Sequence, residues 1–477
     1  MPGTRPAPRP TDPPAVDPLD TGLLDRASGV LLAQAAGDAL GVPYEFALPP
    51  GPGNPRDPVA VMRGGGLGPY APGEWSDDTQ MSVCVARVTA ERDVAPAPGT
   101  RPAVPASEAA LDEIAAAFEA WRTGGASDVG TQTAAVLRDA ALRTGPAAAR
   151  LRDASAALHA ATGRTAGNGA LMRTGVVGLV ALDDRDATAR AARAVAALTH
   201  TDPLAAESCV LWSEAVRVAV TAQRLDVRAG LDLLAPDAAA RWEAWVADAE
   251  ADAPAADLRA NGFTVTALQA AWRAIATTSA PAGSTFAGRD HLVAALQAAV
   301  ATGGDTDTVA AIAGALLGAR YGARAVPPEW TGAVHGWPGL RALELTALAR
   351  RTAQRGLGAP PVREAAPAAA DGTGADPGQP CPVCGTLLRS NPRYPRHVCG
   401  WCAAWVTDAT GRAVSLSNTS LLGTGFTAHH PDGTLAPPDV LAGNVWIRGV
   451  EHRAQEARFG GIVVQPVEPA NETRPPQ

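Results

Sequence analysis

Gly73–Gln80 reads GEWSDDTQ and runs straight into the apolar stretch Met81–Val88. Two adjacent carboxylates that follow a hydroxyl and precede such a run mark a loop entering a helix. Ser76 or Asp77 can serve there as an N-cap, because side-chain oxygens satisfy free backbone donors. A second acidic stretch, Gly303–Thr308 or GGDTDT, repeats the arrangement ahead of Val309–Ala319. In that run Ala310, Gly314 and Gly318 recur every fourth residue and let another helix approach closely. Carboxylates at i and i+2, with hydroxyls between and after them, can converge on one cation. Oxygen-only ligands suit Mg²⁺ or Mn²⁺, and several Asp together can bridge a pair of ions.

Outward from these two stretches the texture stays helical. From Leu23 to about Arg355, Ala, Leu and Val recur at helical spacing between Gly/Pro breaks, with almost no alternating pattern, which predicts ten or more helices. Composition agrees: hydrophobic residues make up 46% of the chain and aromatics only 4%, a mixture that favours closely packed helices over sheets. All 40 basic residues are Arg, which excludes a Schiff-base lysine, a phosphate-loop lysine and a lysine general base. A net charge of −8 without any block of Arg argues against a nucleic-acid scaffold. Small-molecule or protein-linked substrates fit better.

Five segments are expected along the 477 residues. Residues 1–21 are a disordered Pro-rich tail, 22–355 an all-α domain, and 356–380 a flexible linker of Pro, Gly, Ala and Asp. Residues 381–467 form a small module with short strands such as Asn444–Ile447 and Gly461–Gln465, and 468–477 a loose tail. The N-terminus lacks the apolar core of a signal peptide. The longest apolar runs, such as Leu292–Thr302, contain polar residues and are too short for a bilayer core of about 30 Å. A cytoplasmic protein without membrane segments is the expectation.

Weaker motifs lie between the acidic stretches. Gly37–Phe46, GDALGVPYEF, ends the first helix near Gly41 and presents Asp38 and Glu45 at the bend; alone, Glu45 also fits an ordinary surface carboxylate. Gly167–Arg173, GNGALMR, places Gly on both sides of Asn168, so its amides can approach an anion, although a plain Gly-rich turn reads the same way. Asp128–Thr133 is DVGTQT and Thr199–Asp202 is THTD, where His200 is either a structural histidine or a ligand contact.

The order GDALG, WSDDT, DVG, GNGALMR, TH, GGDTDT resembles the ADP-ribosylglycohydrolase family over about residues 23–350. The resemblance implies an all-α fold with a cleft for two Mg²⁺ or Mn²⁺ ions, held by Ser76, Asp77, Asp78, Asp305, Asp307 and Thr308. Ser76 stands where many relatives have threonine and keeps the oxygen. Glu45 and Asp128 are implied catalytic groups, either one acting on the water or the substrate. Asp128, Gly130, Gly167, Asn168, Gly169, Arg173 and His200 are implied to bind substrate. Thr131 follows the DVG segment where relatives often carry Asn. The implied activity is hydrolysis of a ribosyl bond that releases ADP-ribose from a protein or a small conjugate. The same residues are also compatible with an ADP-ribose-binding module without turnover or a two-metal phosphoester hydrolase.

Cys381, Cys384, Cys399 and Cys402 form C-x₂-C-x₁₄-C-x₂-C. Two such knuckles match a tetrahedral, structural Zn²⁺ of zinc-ribbon type, with two disulfides as the rival reading in an oxidising compartment. Cys84 and Cys209 sit in apolar helical contexts and read as core thiols. No residue in the module names a partner.

Overall fold

The structure is a computed structural model that describes residues 19–91, 107–126, 128–357, 378–419, 425–430, 432–457 and 461–467. The chain divides into two compact units, Met1–Ala359 and Pro360–Gln477. Most of the expected Pro-rich tail, nearly all of the expected linker and the expected C-terminal tail lie outside the described residues.

The first unit is helical, as expected. Its described residues hold α1 (Thr21–Gly41), α2 (Asp77–Glu91), α3 (Glu108–Gly124), α4 (Thr131–Ala140), α5 (Ala147–Thr162), α6 (Arg185–Ala196) and α7 (Pro203–Ala222). They continue with α8 (Pro236–Glu250), α9 (Thr264–Ala276), α10 (Ala287–Ala301), α11 (Thr306–Tyr321), α12 (Pro328–Ala333) and α13 (Ala342–Gly356). A two-stranded hairpin, β1 (His335–Gly336) with β2 (Leu340–Arg341), separates the last two helices.

Two helices form the centre. α1 starts where the Asp20 carboxylate accepts the Leu23 N–H at 2.7 Å, and every residue from Ala27 to Gly41 is buried. α11 is buried from Thr306 to Ala319. A helix apolar on all faces belongs inside a bundle, and these two cross each other there. α2 and α13 cover α1, while α7, α9 and α10 cover α11.

The crossing is made of small residues on both sides. A Cβ placed on Gly29 would meet the Gly318 carbonyl oxygen at 2.2 Å, and one on Gly37 would meet that of Ala310 at 2.1 Å. One on Gly314 would meet the Ala33 oxygen at 2.2 Å. The pairing is antiparallel, so the C-terminal end of α1 lies at the N-terminal end of α11. Thr306 donates its hydroxyl to the Gly41 carbonyl at 2.9 Å, and the Phe46 N–H reaches the Gly304 carbonyl at 2.7 Å. Asp38 and Glu45 are thereby brought to Asp305 and Asp307. No described helix is long and apolar enough to cross a membrane.

The second unit is small and carries short strands. β3 (Gln379–Pro380) pairs with β4 (Leu387–Leu388) around the first cysteine pair, and α14 (Gly400–Ala403) starts after Cys399 and contains Cys402. β5 (Ser415–Asn418) pairs with β6 (Phe426–His429), and α15 (Pro438–Leu441) leads into a sheet ordered β7 (Asn444–Ile447), β8 (Val450–Glu456), β9 (Ile462–Pro466). Val398 N–H donates to the Val464 carbonyl at 2.9 Å, which ties the cysteine knuckles to β9. Val406, Val445, Ile447, Ala454 and Val464 form its buried apolar centre.

Candidate active site

Three helix N-termini meet at one pocket of about 410 Å³. Asp77 and Asp78 begin α2, Asp128–Gly130 lead into α4, and Asp305 and Asp307 begin α11. Glu45, Thr131, Gly167–Gly169, His200, Thr308 and the unforeseen Phe46, Leu67, Gln132, Thr133, Met172 and Gly262 complete the lining. All six carboxylates expected at the site therefore face one cavity. Helix N-termini also place positive partial charge where these acids gather.

The capping question raised by SDDT has a definite answer. Asp38, on α1, takes the free amides of α2: Ser76 N–H and Oγ–H donate to its Oδ1 at 2.8 Å each, and Thr79 N–H and Oγ1–H donate to its Oδ2 at 3.0 and 2.6 Å. With the cap supplied from another helix, Asp77 and Asp78 line the pocket instead of capping α2. At α11, Asp305 occupies the cap position but its side chain makes no capping bond; it accepts from Asn168 Nδ2 at 2.8 Å instead. The turn before it needs glycine: Gly304 has φ +78°, and a Cβ there would stand 2.3 Å from the Arg259 carbonyl oxygen.

Sequence reading missed two supports. The sequence places Asp38 at the bend without marking a role for it, and Asn261 gives no local signal beyond an Asn-Gly turn. Asn261 Oδ1 accepts the Asp305 N–H at 2.8 Å, its Nδ2 donates to the Gly303 carbonyl at 2.9 Å, and its carbonyl accepts from Asn168 at 2.9 Å. The segment ahead of α2 is held by the hairpin, through Trp75 N–H to the His335 carbonyl and His335 N–H to that of Gly73, both at 3.1 Å.

Two expected site residues stay out of the lining. Ser76 sits behind it, with its hydroxyl between Asp38 and Asp78. The sequence reading puts Arg173 in an anion-facing loop, but its side chain turns inward after the Asn168–Ala170 turn and is fully buried. Its guanidinium lies 4.7 Å from the Phe118 ring centre and donates to Thr199 Oγ1 at 2.7 Å.

So many buried acids close together disfavour each other's charge. Burial, then Asp305, Asp128 and Asp77, push the Glu45 carboxyl up to about 8. Burial raises Asp38 to about 6 against the pull of its Thr79 and Ser76 hydrogen bonds. Asp77, Asp78 and Asp307 are also raised well above the usual carboxylate range, first by burial and then by their acidic neighbours. Divalent cations would remove the conflict.

The donor set fits them. Oxygen atoms of Asp38, Asp78 and Asp307 lie within 4.8 Å of one another, as do those of Glu45, Asp305 and Asp307. Asp78 Oδ1 is buried and has no hydrogen-bond partner among the described residues. Asp38, with four donors already on it, is better placed to position α2 than to hold an ion.

In the second unit the sulfurs of Cys381, Cys384, Cys399 and Cys402 also lie within 4.8 Å of one another. No cysteine is in a disulfide, and Cys384 and Cys399 sulfurs are 3.8 Å apart, far beyond a bond of about 2.05 Å. The four thiols form a closed set able to hold a metal ion. Cys84 and Cys209 are buried core thiols, as expected.

Fold and pocket define a helical protein with an acid-lined cleft suited to divalent cations and a small polar ligand. The chain belongs to the ADP-ribosylglycohydrolase family, whose sequence profile matches residues 19–360. It is 30% identical over 319 residues to an ADP-ribosylarginine hydrolase Tri1 of Pseudomonas putida (strain GB-1), covering 64% of this chain and 73% of the relative. A protein of the same name from Serratia proteamaculans (strain 568) is 43% identical over 76 residues, 16% of this chain and 19% of that one. Among solved structures, an "ADP-ribosylglycohydrolase-related protein complex" chain aligns with a TM-score of 0.48 and 25% identity, over 70% of this chain and 99% of that one.

Proposed function

We propose that the unit spanning residues 22–355 is a cytoplasmic hydrolase that releases ADP-ribose from ADP-ribosylated arginine, on a protein or a small guanidine conjugate. The observation that carries this reading is the convergence of Glu45, Asp77, Asp78, Asp128, Asp305 and Asp307 on one pocket with the Gly167–Gly169 backbone. An acidic cavity also suits a cationic guanidinium as leaving group. The name of the Pseudomonas putida relative supports the choice of arginine.

Asp77, Asp78, Asp305, Asp307 and Thr308 would hold two Mg²⁺ or Mn²⁺ ions, with Ser76 steadying Asp78 from behind instead of serving as a ligand. When bound, such a pair anchors ribose oxygens and makes water more acidic. The chain's own groups do the rest. Positive charge develops at the anomeric carbon as the C–N bond breaks, and the surrounding carboxylates stabilise it. Glu45 or Asp128 takes the proton that the attacking water loses as the new C–O bond forms, and the guanidine, which leaves with the C–N electron pair, takes up a proton and departs as guanidinium. Gly167 and Gly169, which line the pocket without side chains, let the anionic part of the substrate approach the backbone, while the Asn168 N–H is held by the Gly262 carbonyl at 3.1 Å.

The test is release of free ADP-ribose from ADP-ribosylarginine and ADP-ribosylserine peptides, with Mg²⁺ or Mn²⁺ and with chelator. Hydrolysis of the arginine peptide that stops with chelator is expected. Release from the serine peptide alone, or release indifferent to chelator, overturns the reading.

We also infer that residues 381–467 form an appended module in which Cys381, Cys384, Cys399 and Cys402 hold one structural Zn²⁺. Four thiolates complete a tetrahedral shell, and a module this small gains much of its stability from the metal. Cys384→Ser is expected to lower zinc content from about one per chain and expose this module to protease. Protection of residues 19–357 should persist. Full zinc content in the variant would rule the site out.

A further inference from the structure

We propose that Arg173 and Thr199 act on the pocket through His200: they fix its neutral ring with the proton on Nε2, so that it presents a single N–H donor to an acceptor oxygen of the bound ligand. The ligand half of this proposal rests on the reading of the pocket as an ADP-ribose site; the hydrogen-bond clamp does not.

The clamp follows from counting protons. Thr199 is fully buried, and its hydroxyl offers one hydrogen and two lone pairs. Arg173 Nη2–H occupies one lone pair at 2.7 Å, and a guanidinium cannot accept. His200 Nδ1 stands 2.7 Å from the same oxygen. If Nδ1 carried the proton, it would fill the second lone pair and leave the Thr199 O–H buried without an acceptor among the described residues. If the Thr199 O–H donates to Nδ1, every group is satisfied. A buried polar hydrogen left unpaired is costly, so the second arrangement prevails.

Arg173 strengthens the choice. It is a buried cation with no carboxylate bonded to it among the described residues; its guanidinium meets the Val195 carbonyl, Thr199, the Met81 sulfur and the Phe118 face. A positive charge on the far side of the hydroxyl makes that hydroxyl a better donor toward the ring. The same charge opposes a second proton on His200, and burial opposes it more.

Nε2 is the atom left for the pocket. It has no hydrogen-bond partner among the described residues, and Cβ atoms built on Gly167 and Gly169 would stand 3.3 and 3.4 Å from it. The ring edge therefore lies against the two glycines that line the pocket with it, where side chains would crowd it. A neutral N–H there favours a ligand oxygen, and with its proton in place Nε2 offers no lone pair to a cation.

Long-range ¹H–¹⁵N spectra of the full chain, labelled at histidine and held in Mg²⁺ buffer, read the tautomer directly. His200→Gln identifies the signals. The expected result without ligand is a proton on Nε2, a mixture of tautomers in Thr199→Val, and a return to Nε2–H in Thr199→Ser. ADP-ribose binding by calorimetry should weaken roughly tenfold in Thr199→Val and recover in Thr199→Ser. A proton on Nδ1 in the unaltered chain overturns the proposal. So does a Thr199→Val variant in which only one, or neither, of tautomer and affinity moves. Failure of the unaltered chain to bind ADP-ribose at all would strike the substrate reading, while the ligand-free spectra still decide the clamp.

Discussion

Asp307→Asn is expected to lower kcat/KM on the order of 10²–10³-fold, the loss of about 3–4 kcal/mol of transition-state stabilisation. Asp307 is singled out because its oxygens belong to both close carboxylate groups, with Asp38 and Asp78 on one side and with Glu45 and Asp305 on the other. In the two-cation reading, its loss would remove the one carboxylate common to both groups. The variant should fold, because the acid is buried among like charges and its removal relieves repulsion. A sharp pair of melting curves follows. Without metal the variant should melt at or above the parent temperature. With saturating Mg²⁺ or Mn²⁺ the parent should gain about 2–3 kcal/mol by mass action, at roughly a hundredfold excess over its dissociation constant, and the variant little. A variant that keeps both its activity and its metal-induced shift would remove the dinuclear site from consideration.

The second large effect concerns folding. Gly37→Ala should destabilise the first unit by about 3 kcal/mol or more, beyond the usual range for overpacking. The added carbon would lie 2.1 Å from the Ala310 carbonyl oxygen, which is backbone and has no rotamer to yield. Relief requires α1 and α11 to part, and they carry Asp38 and Glu45 on one side and Asp305 and Asp307 on the other. Activity should therefore fall with stability. Gly124→Ala is the control, since a Cβ there meets nothing within 4 Å and alanine favours a helix. Thermal unfolding followed by circular dichroism separates the two. Equal melting temperatures for Gly37→Ala and the parent would mean that the helices are not in such contact.

The seam also shows how far local reading goes. The four-residue spacing of Ala310, Gly314 and Gly318 announces a close helix partner from sequence alone. Which helix that is cannot be read there, because Gly29, Gly37 and Gly41 lie more than 260 residues earlier and also suit an ordinary helix with a glycine stop. The acidic stretches behave alike. SDDT and GGDTDT declare oxygen ligands, yet each also fits a capped helix. Only the reach of Asp38 to Ser76 and Thr79 shows that the α2 cap comes from elsewhere, and only the Asn168 contact shows that Asp305 does not cap α11.

What the sequence by itself determined is the helical class of the first unit, the four-cysteine spacing and the identity of the carboxylates. These depend on periodicity and on side-chain chemistry, which are properties of neighbours along the chain. Tertiary structure alone decided that α1 and α11 cross with their acidic ends together, that Asn261 steadies Asp305, and that Arg173 lies beneath the pocket against Thr199. Those outcomes are set by which distant groups satisfy one another's hydrogen bonds and fill one another's volume, and sequence spacing carries no measure of either.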